Sequence, residues 1–328
     1  VTNMSDRKSR QMIRRAKEKN KDAFIIVVGC YAEVAKDEIE KIDEVDLVLG
    51  NHQKANIDKY IEAFFDGKNL EDNVIENYFY DFGSITYTEK VRAVIKVQDG
   101  CNNFCTYCII PYARGRICSR KPESVIEEIT KIADEGIKEV VITGIQVSAY
   151  GKDFDNDYRL IDLLEEINKI DGIERIRLGS IEPLMITDEF CDRVSKLDKM
   201  CHHFHLSLQS GCDKTLKEMN RKYTTKQFRD VVRRLRNLYD DVILTTDIIV
   251  GFPNESDEDF ETTYKFLDEI KFYKMHVFKY SQRKGTVAEK MKNQVPAEIK
   301  DKRSKRLIQL SDKNESEYLK EYIGKVVK

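Results

Sequence analysis

The chain has 328 residues, of which 41% are hydrophobic and 35% charged, enough to bury a sizeable core beneath a heavily solvated surface. Its 56 basic and 58 acidic residues leave a formal charge of −2, so any grip on nucleic acid must come from local patches and not from bulk charge. No run of about 18 apolar residues is present to span a membrane, no secretory leader is expected, and eight cysteines in a Lys/Glu-rich chain read as cytoplasmic thiols and ligands rather than a disulfide framework.

Residues 5–21 predict a basic helix, with Arg7, Arg10, Arg14, Lys17 and Lys21 recurring at steps of three and four as one stripe. A buried strand follows at 23–28 (AFIIVV), then Gly29, Cys30 and a helix with apolar positions Val34, Ile39 and Ile42. A short strand at 46–50 and a helix from His52 to Phe65 complete an α/β unit. It opens on a helix, and the chain on Val1, so the first strand of that unit is expected to be missing. Residues 66–90 are polar and rich in Gly, Asn and Asp, the expected boundary.

A second series then runs through strands at 91–97, 139–143, 175–178, 203–208, 243–250 and 274–280. Helices are predicted between them near 122–135, 159–169, 187–198, 224–239 and 257–270, with Pro122 suited to a first helical turn. The strand ends carry polar residues: Gln98 and Asp99, Gly144 to Gln146, Ser180 and Glu182, Gln209 and Ser210, Gly251 to Glu255. That pattern suits a parallel barrel with its chemistry on the C-terminal rim. A charged helix from Pro296 to Tyr322 ends at Gly324, and KVVK (325–328) reads as the start of another strand.

The stretch GCNNFCTYCIIP (100–111) places Cys101, Cys105 and Cys108 directly after the first strand of this series. A structural zinc site takes four protein ligands and a disulfide two. Three thiolates in eight residues suit a 4Fe–4S cluster with one iron left open for a substrate or cofactor. The alternative is a zinc knuckle with Cys118 as fourth ligand, disfavoured because zinc sites use paired cysteine hairpins.

The C-x3-C-x2-C spacing, with Tyr107 before the third cysteine, resembles the radical S-adenosylmethionine (SAM) superfamily. The resemblance implies a partial (β/α)6 TIM-like barrel in which the open iron is chelated by SAM, whose reductive cleavage yields a 5′-deoxyadenosyl radical. By the same resemblance Tyr107 packs near the SAM adenine, Gly144 and Gln146 in TGIQ (143–146) meet its amino group, and Ser180 and Glu182 hold its ribose. DIIVGFPNE (247–255) with Gly251 backs the adenine, although Asp247 stands where the pattern has its first glycine and the acidic residue falls one place late, at Glu255.

IIPYARGRICSR (109–120), TGIQVSAYGKD (143–153), SLQSGCDKTLKEMNRKYT (207–224) and VFKYSQRKGTVAEKM (277–291) resemble the methylthiotransferases within that superfamily. Such enzymes carry a second 4Fe–4S cluster on three cysteines of an N-terminal Rossmann-like α/β domain, of which Cys30 in VVGCYAE (27–33) matches the third. The resemblance thus implies residues 1–85 as the remainder of that domain, 86–300 as the barrel, and 301–328 as a linking helix leading into an RNA-binding β-domain. The chain is read as truncated at both ends and not expected to complete the second cluster or full turnover.

PYARGR with the TGIQVSAYG run looks closest to the branch acting on threonylcarbamoyladenosine beside a tRNA anticodon. The alternatives are the isopentenyladenosine branch and one modifying an aspartate of a ribosomal protein. The implied reaction takes hydrogen from adenine C2, traps the carbon with sulfur from the auxiliary cluster and methylates it from a second SAM. The implied partners are tRNA and a flavodoxin-type or ferredoxin-type reductant, with no membrane and a monomeric state. Arg114, Arg116, Arg120 and Lys121 are candidates for tRNA phosphate contacts, against a plain solvated face. Cys201, His203 and His205 alternate on one strand face but are poorly spaced for tetrahedral zinc, and Cys118, Cys191 and Cys212 read as small buried hydrophobes. The non-enzyme alternative is a structural zinc or electron-transfer protein.

Overall fold

The computed structural model describes residues 3–68, 79 and 91–326. The expected domain boundary between 85 and 86 lies outside the described residues.

The N-terminal unit runs α1 (Asn3–Lys19), β1 (Ile26–Val28), α2 (Cys30–Val34), α3 (Lys36–Ile39), β2 (Leu47–Leu49) and α4 (Ile57–Phe65). β1 and β2 pair in parallel, and Tyr31, Ala32, Ile39 and Val48 form a small core. The helix expected after Cys30 is two helices, broken at Ala35, whose φ of −139° leaves the helical region. The basic stripe of α1 divides: Arg10 donates to the Tyr31 hydroxyl at 2.7 Å and Lys17 lies 3.4 Å from Asp46, while Arg7, Arg14 and Lys21 stay exposed.

The second series runs β3 (Ala93–Asp99), α5 (Ile110–Arg114), β4 (Cys118–Ser119), α6 (Pro122–Asp134), β5 (Glu139–Gly144) and α7 (Leu160–Asn168). It continues through β6 (Arg175–Leu178), β7 (Ser180–Ile181), α8 (Asp188–Val194), β8 (His203–Gln209), α9 (Asp213–Glu218) and α10 (Thr225–Leu238). β9 (Ile243–Val250), α11 (Asp257–Ile270), β10 (Lys274–Lys279) and α12 (Ala297–Lys320) complete it. The strands lie in the orders β4-β3-β5-β6 and β7-β8-β9-β10, all parallel except β4 against β3.

The strand expected at 175–178 continues past one residue and changes partner. Its first half, β6, pairs with β5; after Gly179, its second half, β7, pairs with β8. A Cβ at Gly179 would stand 2.9 Å from the Thr143 hydroxyl, so the bend needs a residue without a side chain. The two sheets thereby form one six-position arc, a partial barrel.

Alternation sets the layers. Along β8, Phe204, Leu206 and Leu208 are buried toward the helices, while His203, His205, Ser207 and Gln209 alternate with them and remain half-buried. The helices start where their caps dictate: Thr224 opens α10 and Ser256 opens α11, each accepting from the N–H three residues on, and Pro122 occupies the first turn of α6. α12 begins at Ala297 and packs along β10, where Ser311 accepts from the Met275 N–H at 3.0 Å. The chain leaves it through Gly324, at φ 82°.

Candidate functional site

The polar strand ends collect at one rim, and the loop after β3 lies across it. Gln98, wholly buried, donates to the Gly100 carbonyl at 2.8 Å and accepts from the Gln146 N–H at 2.7 Å, fastening the loop's first turn to the end of β5. Gly100 sits at φ 68°, and a Cβ there would lie 1.8 Å from the Arg116 carbonyl oxygen, so only glycine fits the turn. Farther along, Thr106 donates from its N–H to Met219 O (3.1 Å) and from its hydroxyl to Glu218 O (2.9 Å). Asn220 reaches back to the carbonyls of Asn103 and Phe104 at 3.2 and 3.0 Å, and the Ala288 N–H donates to Thr106 O at 2.8 Å. The cysteine loop is thus pinned by three elements distant in sequence, one of them α9, which is too short to show a helical period.

Cys105 is buried, and Cys101 and Cys108 are half-buried; no disulfide joins any cysteine. Burial pushes the Cys101 thiol above its ordinary range, with charge on Cys105 and Glu182 adding to the rise. Burial pushes Cys108 up to about 11, assisted by charge on Cys105 and Cys101. Burial and neighbouring negative charge therefore both oppose ionisation of these two thiols. Such a set becomes stable as thiolates when cationic metal offsets their charge. Cys118 is pushed up to about 12 by burial and by Asp153 and Asp99 instead, and so belongs to a different environment. Among the described residues no three His, Cys, Asp or Glu side chains converge on a point that could hold a single metal ion. A four-iron cube gives each thiolate its own iron, so three sulfurs on one loop suit it without such convergence.

The neighbours of the thiols supply the rest of the site. Cys101 Sγ lies 3.1 Å from Gln146 Oε1. Glu182 accepts from Asn103 at 3.2 Å and from Arg221 at 2.8 and 3.0 Å. The Arg221 side chain is 5% exposed and also donates to Ser207 O at 2.9 Å, to the Tyr223 hydroxyl at 3.0 Å and toward Cys105 Sγ at 3.4 Å. Burial opposes its charge, but Tyr223, Tyr107, Glu182 and Cys105 more than compensate, so it stays protonated. A cleft of about 480 Å3 is walled by Asn103, Cys105, Gln146, Glu182 and Arg221 and extends toward Leu184 and Lys222.

The remaining sequence-predicted residues stand outside the lining of that cleft. Tyr107 meets Phe252 edge to face with centroids 6.5 Å apart, in a cluster with Met219, Tyr280 and Ala288. Gly251, at φ 69°, donates its N–H to the buried Glu255, which Arg303 of α12 neutralises at 2.8 Å. Gly144 packs on Gln98, where a Cβ would come within 2.9 Å, and Ser180 is exposed.

Cys30, the first residue of α2, faces α5. Arg114 donates from Nε to Cys30 Sγ at 3.0 Å and from Nη1 to Asp99 at 3.2 Å. This corrects two sequence readings. Arg114 is committed to internal partners, and Arg120, 7% exposed, pairs with the buried Glu128, so neither presents a free charge to a phosphate backbone. Arg116 and Lys121 remain exposed, Arg116 lying over the Phe104 ring at 4.8 Å. His203 and His205 share the Thr245 hydroxyl at 3.3 and 2.9 Å, so the alternation along β8 serves hydrogen bonds in the barrel interior. Arg221, Asn103 and Asn220 were not read as site residues from the sequence; the run MNR (219–221) after β8 was the available signal.

Residues 95–267 match the radical SAM superfamily and residues 1–50 match the uncharacterized protein family UPF0004. The chain is 42% identical over its whole length to threonylcarbamoyladenosine tRNA methylthiotransferase MtaB of Bacillus subtilis, spanning 73% of that protein, and 41% identical to MtaB of Aquifex aeolicus, spanning 80% of it. It is 38% identical to a tRNA-2-methylthio-N(6)-dimethylallyladenosine synthase of Clostridium botulinum, covering 96% of this chain and 71% of that one. Among solved structures, the radical SAM methyltransferase TsrM from Kitasatospora setae, with cobalamin and a [4Fe-4S] cluster bound, has the same fold with a TM-score of 0.65 at 16% identity, covering 85% of this chain and 60% of that one. With the three-thiol loop at the rim of a partial barrel and these relatives, the chain belongs to the radical SAM superfamily and, within it, to the methylthiotransferases.

Proposed function

We propose that this protein places a methylthio group on C2 of N6-threonylcarbamoyladenosine in tRNA. The observation that carries the reading is the loop bearing Cys101, Cys105 and Cys108, fixed beside Gln146, Glu182 and Arg221 at the barrel rim, in a chain whose most similar relatives above bear that activity in their names. The 4Fe–4S cluster and SAM supply the radical chemistry when bound. Cys101, Cys105 and Cys108 would hold the cluster, one thiolate to each of three irons.

The protein's part is to bind, orient and keep water out. Gln146, which lies beside Cys101, and Gly144, which allows β5 to approach Gln98, would meet the amino end of SAM. Glu182, held by Arg221 and Asn103, would offer its carboxylate to ribose hydroxyls, with Ser180 two residues earlier at the start of β7. Tyr107 packs on Phe252 in an apolar cluster that would back the adenine, with Gly251 next to Phe252 in the chain. Cys30 would be one ligand of a second 4Fe–4S cluster, the sulfur source, brought by the 1–85 unit to the edge of the 86–300 barrel; residues 301–328 would lead on toward an RNA-binding part. A flavodoxin-type or ferredoxin-type protein would deliver the electron. No helix among the described residues is long and apolar enough to cross a membrane, and we read the protein as a cytoplasmic monomer.

The dimethylallyladenosine synthases keep a second substrate in view, at slightly lower identity. The test is nucleoside analysis of tRNA from cells with and without the gene. Loss of the methylthio derivative of threonylcarbamoyladenosine supports the proposal; loss of the dimethylallyl counterpart alone overturns it.

A further inference from the structure

The two sulfur centres of the proposed reaction sit on different units, and one side chain joins them, touching Cys30 directly and reaching the cysteine loop through Asp99. We propose that Arg114 is a positioning residue that sets the distance and orientation between the Cys30 sulfur and the turn carrying Cys101; the inference rests on the methylthiotransferase reading.

Three observations support this. Arg114 Nε meets Cys30 Sγ at 3.0 Å while its Nη1 lies 3.2 Å from Asp99 Oδ2, so the planar guanidinium bridges the units with two of its edges. Asp99 in turn accepts from the Gly100 N–H at 2.8 Å with its other oxygen, and Gly100 precedes Cys101, whose N–H donates to Gly115 O at 3.2 Å. The bridge therefore ends on the backbone of the loop's first cysteine. Finally, Arg114 is the last residue of α5, a helix packed on α2 and fastened to the N-terminal unit by Asn51, which donates to the Ala113 carbonyl. Held at both ends of its backbone and at both edges of its side chain, Arg114 has little freedom to serve a surface role.

The physical consequence concerns the second half of the reaction. A carbon radical formed near Cys101–Cys108 is trapped only if the sulfur donor near Cys30 is in reach and aligned, and misplacement by about 1 Å can cost about 100-fold in such a step. Forming the radical needs no such alignment. Arg114 thus acts on the coupling between SAM cleavage and sulfur insertion, and lysine is a poor substitute because a single ammonium cannot face a sulfur and a carboxylate in the same fixed fork.

The experiment compares wild type, Arg114→Gln and Arg114→Lys. In the reconstituted full-length holoenzyme, methylthio product per 5′-deoxyadenosine is expected to fall by about tenfold or more in the Gln variant and by less in the Lys variant, with deoxyadenosine formation within about threefold of wild type. In metal-free protein, urea midpoints of Arg114→Gln, Cys30→Ser and the double variant are expected to be non-additive, because the two side chains touch. An unchanged ratio overturns the proposal, as does an equal fall in cleavage and product, which would mark a merely structural residue. Additive midpoints also overturn it, by denying the contact. Should the full-length wild type itself make no methylthio product, the functional reading fails while the metal-free cycle still decides the contact.

Discussion

Arg221 lays its guanidinium across the Glu182 carboxylate at 2.8 and 3.0 Å, 39 residues away in sequence, with its own side chain 5% exposed and that of Glu182 22% exposed. Neither charge is well placed to fall back on water. Removing Arg221 leaves the half-buried Glu182 carboxylate with Asn103 alone, at about 3 kcal/mol, the low end for a buried pair. Arg221→Met is therefore expected to lower stability by about that amount in urea denaturation, and Glu182→Gln by about 1.5–3 kcal/mol, since glutamine still accepts from Asn103 and Arg221. Equal, small losses for both would show the pair to be solvated.

Gly100→Ala tests the cysteine loop without touching a thiol. The new methyl would need a positive φ and would collide with the Arg116 carbonyl, so the turn must move and carry Cys101 with it. Reconstituted iron is expected to drop sharply in this variant while far-UV circular dichroism stays near wild type. Full iron content would mean that the loop's first turn is not what places Cys101.

His203 gives a pH signature. Burial inside the barrel, with the nearby charge of Arg177, lowers its pKa to about 4. The unfolded chain then binds a proton on this residue at a pH where the folded chain does not. The stability it contributes is present above its ordinary pKa near 6.5 and is lost as pH falls from there toward 4. His203→Gln should flatten the fall in urea midpoint between pH 6.5 and 4, and an unchanged slope would assign that fall to other groups.

Cys30 and Cys101 are expected to fail differently. Cys101→Ala should abolish 5′-deoxyadenosine formation. In the full-length holoenzyme, Cys30→Ala should leave SAM cleavage and stop sulfur insertion. Methylthio product from either variant would contradict the role given to that residue.

The parts legible in the sequence were those with a long period. β8 alternates over seven residues, β9 is a mostly apolar and β-branched run of eight, and α10 and α11 carry fourteen residues of helical spacing between clear caps, so their positions followed from pattern alone. The cysteine spacing pointed to a candidate site because three cysteines fall within one loop. What stayed hidden depends on contacts between distant segments. The break at Gly179 reflects a change of strand partner, and a lone glycine between two strand-like runs does not declare it. α9 has six residues, too few to show a face, yet its end pins the cysteine loop. Arg221 and Arg114 look like surface charges in a chain rich in them; only the fold brings Glu182 to one and Cys30 to the other.

The most direct measurement is electron paramagnetic resonance of the anaerobically reconstituted, reduced protein before and after SAM is added. If three thiolates leave one iron open, iron and sulfide come in equal numbers and SAM reshapes the cluster signal, an effect lost in Cys105→Ala. A colourless protein with one zinc, or a cluster whose signal ignores SAM, would contradict it.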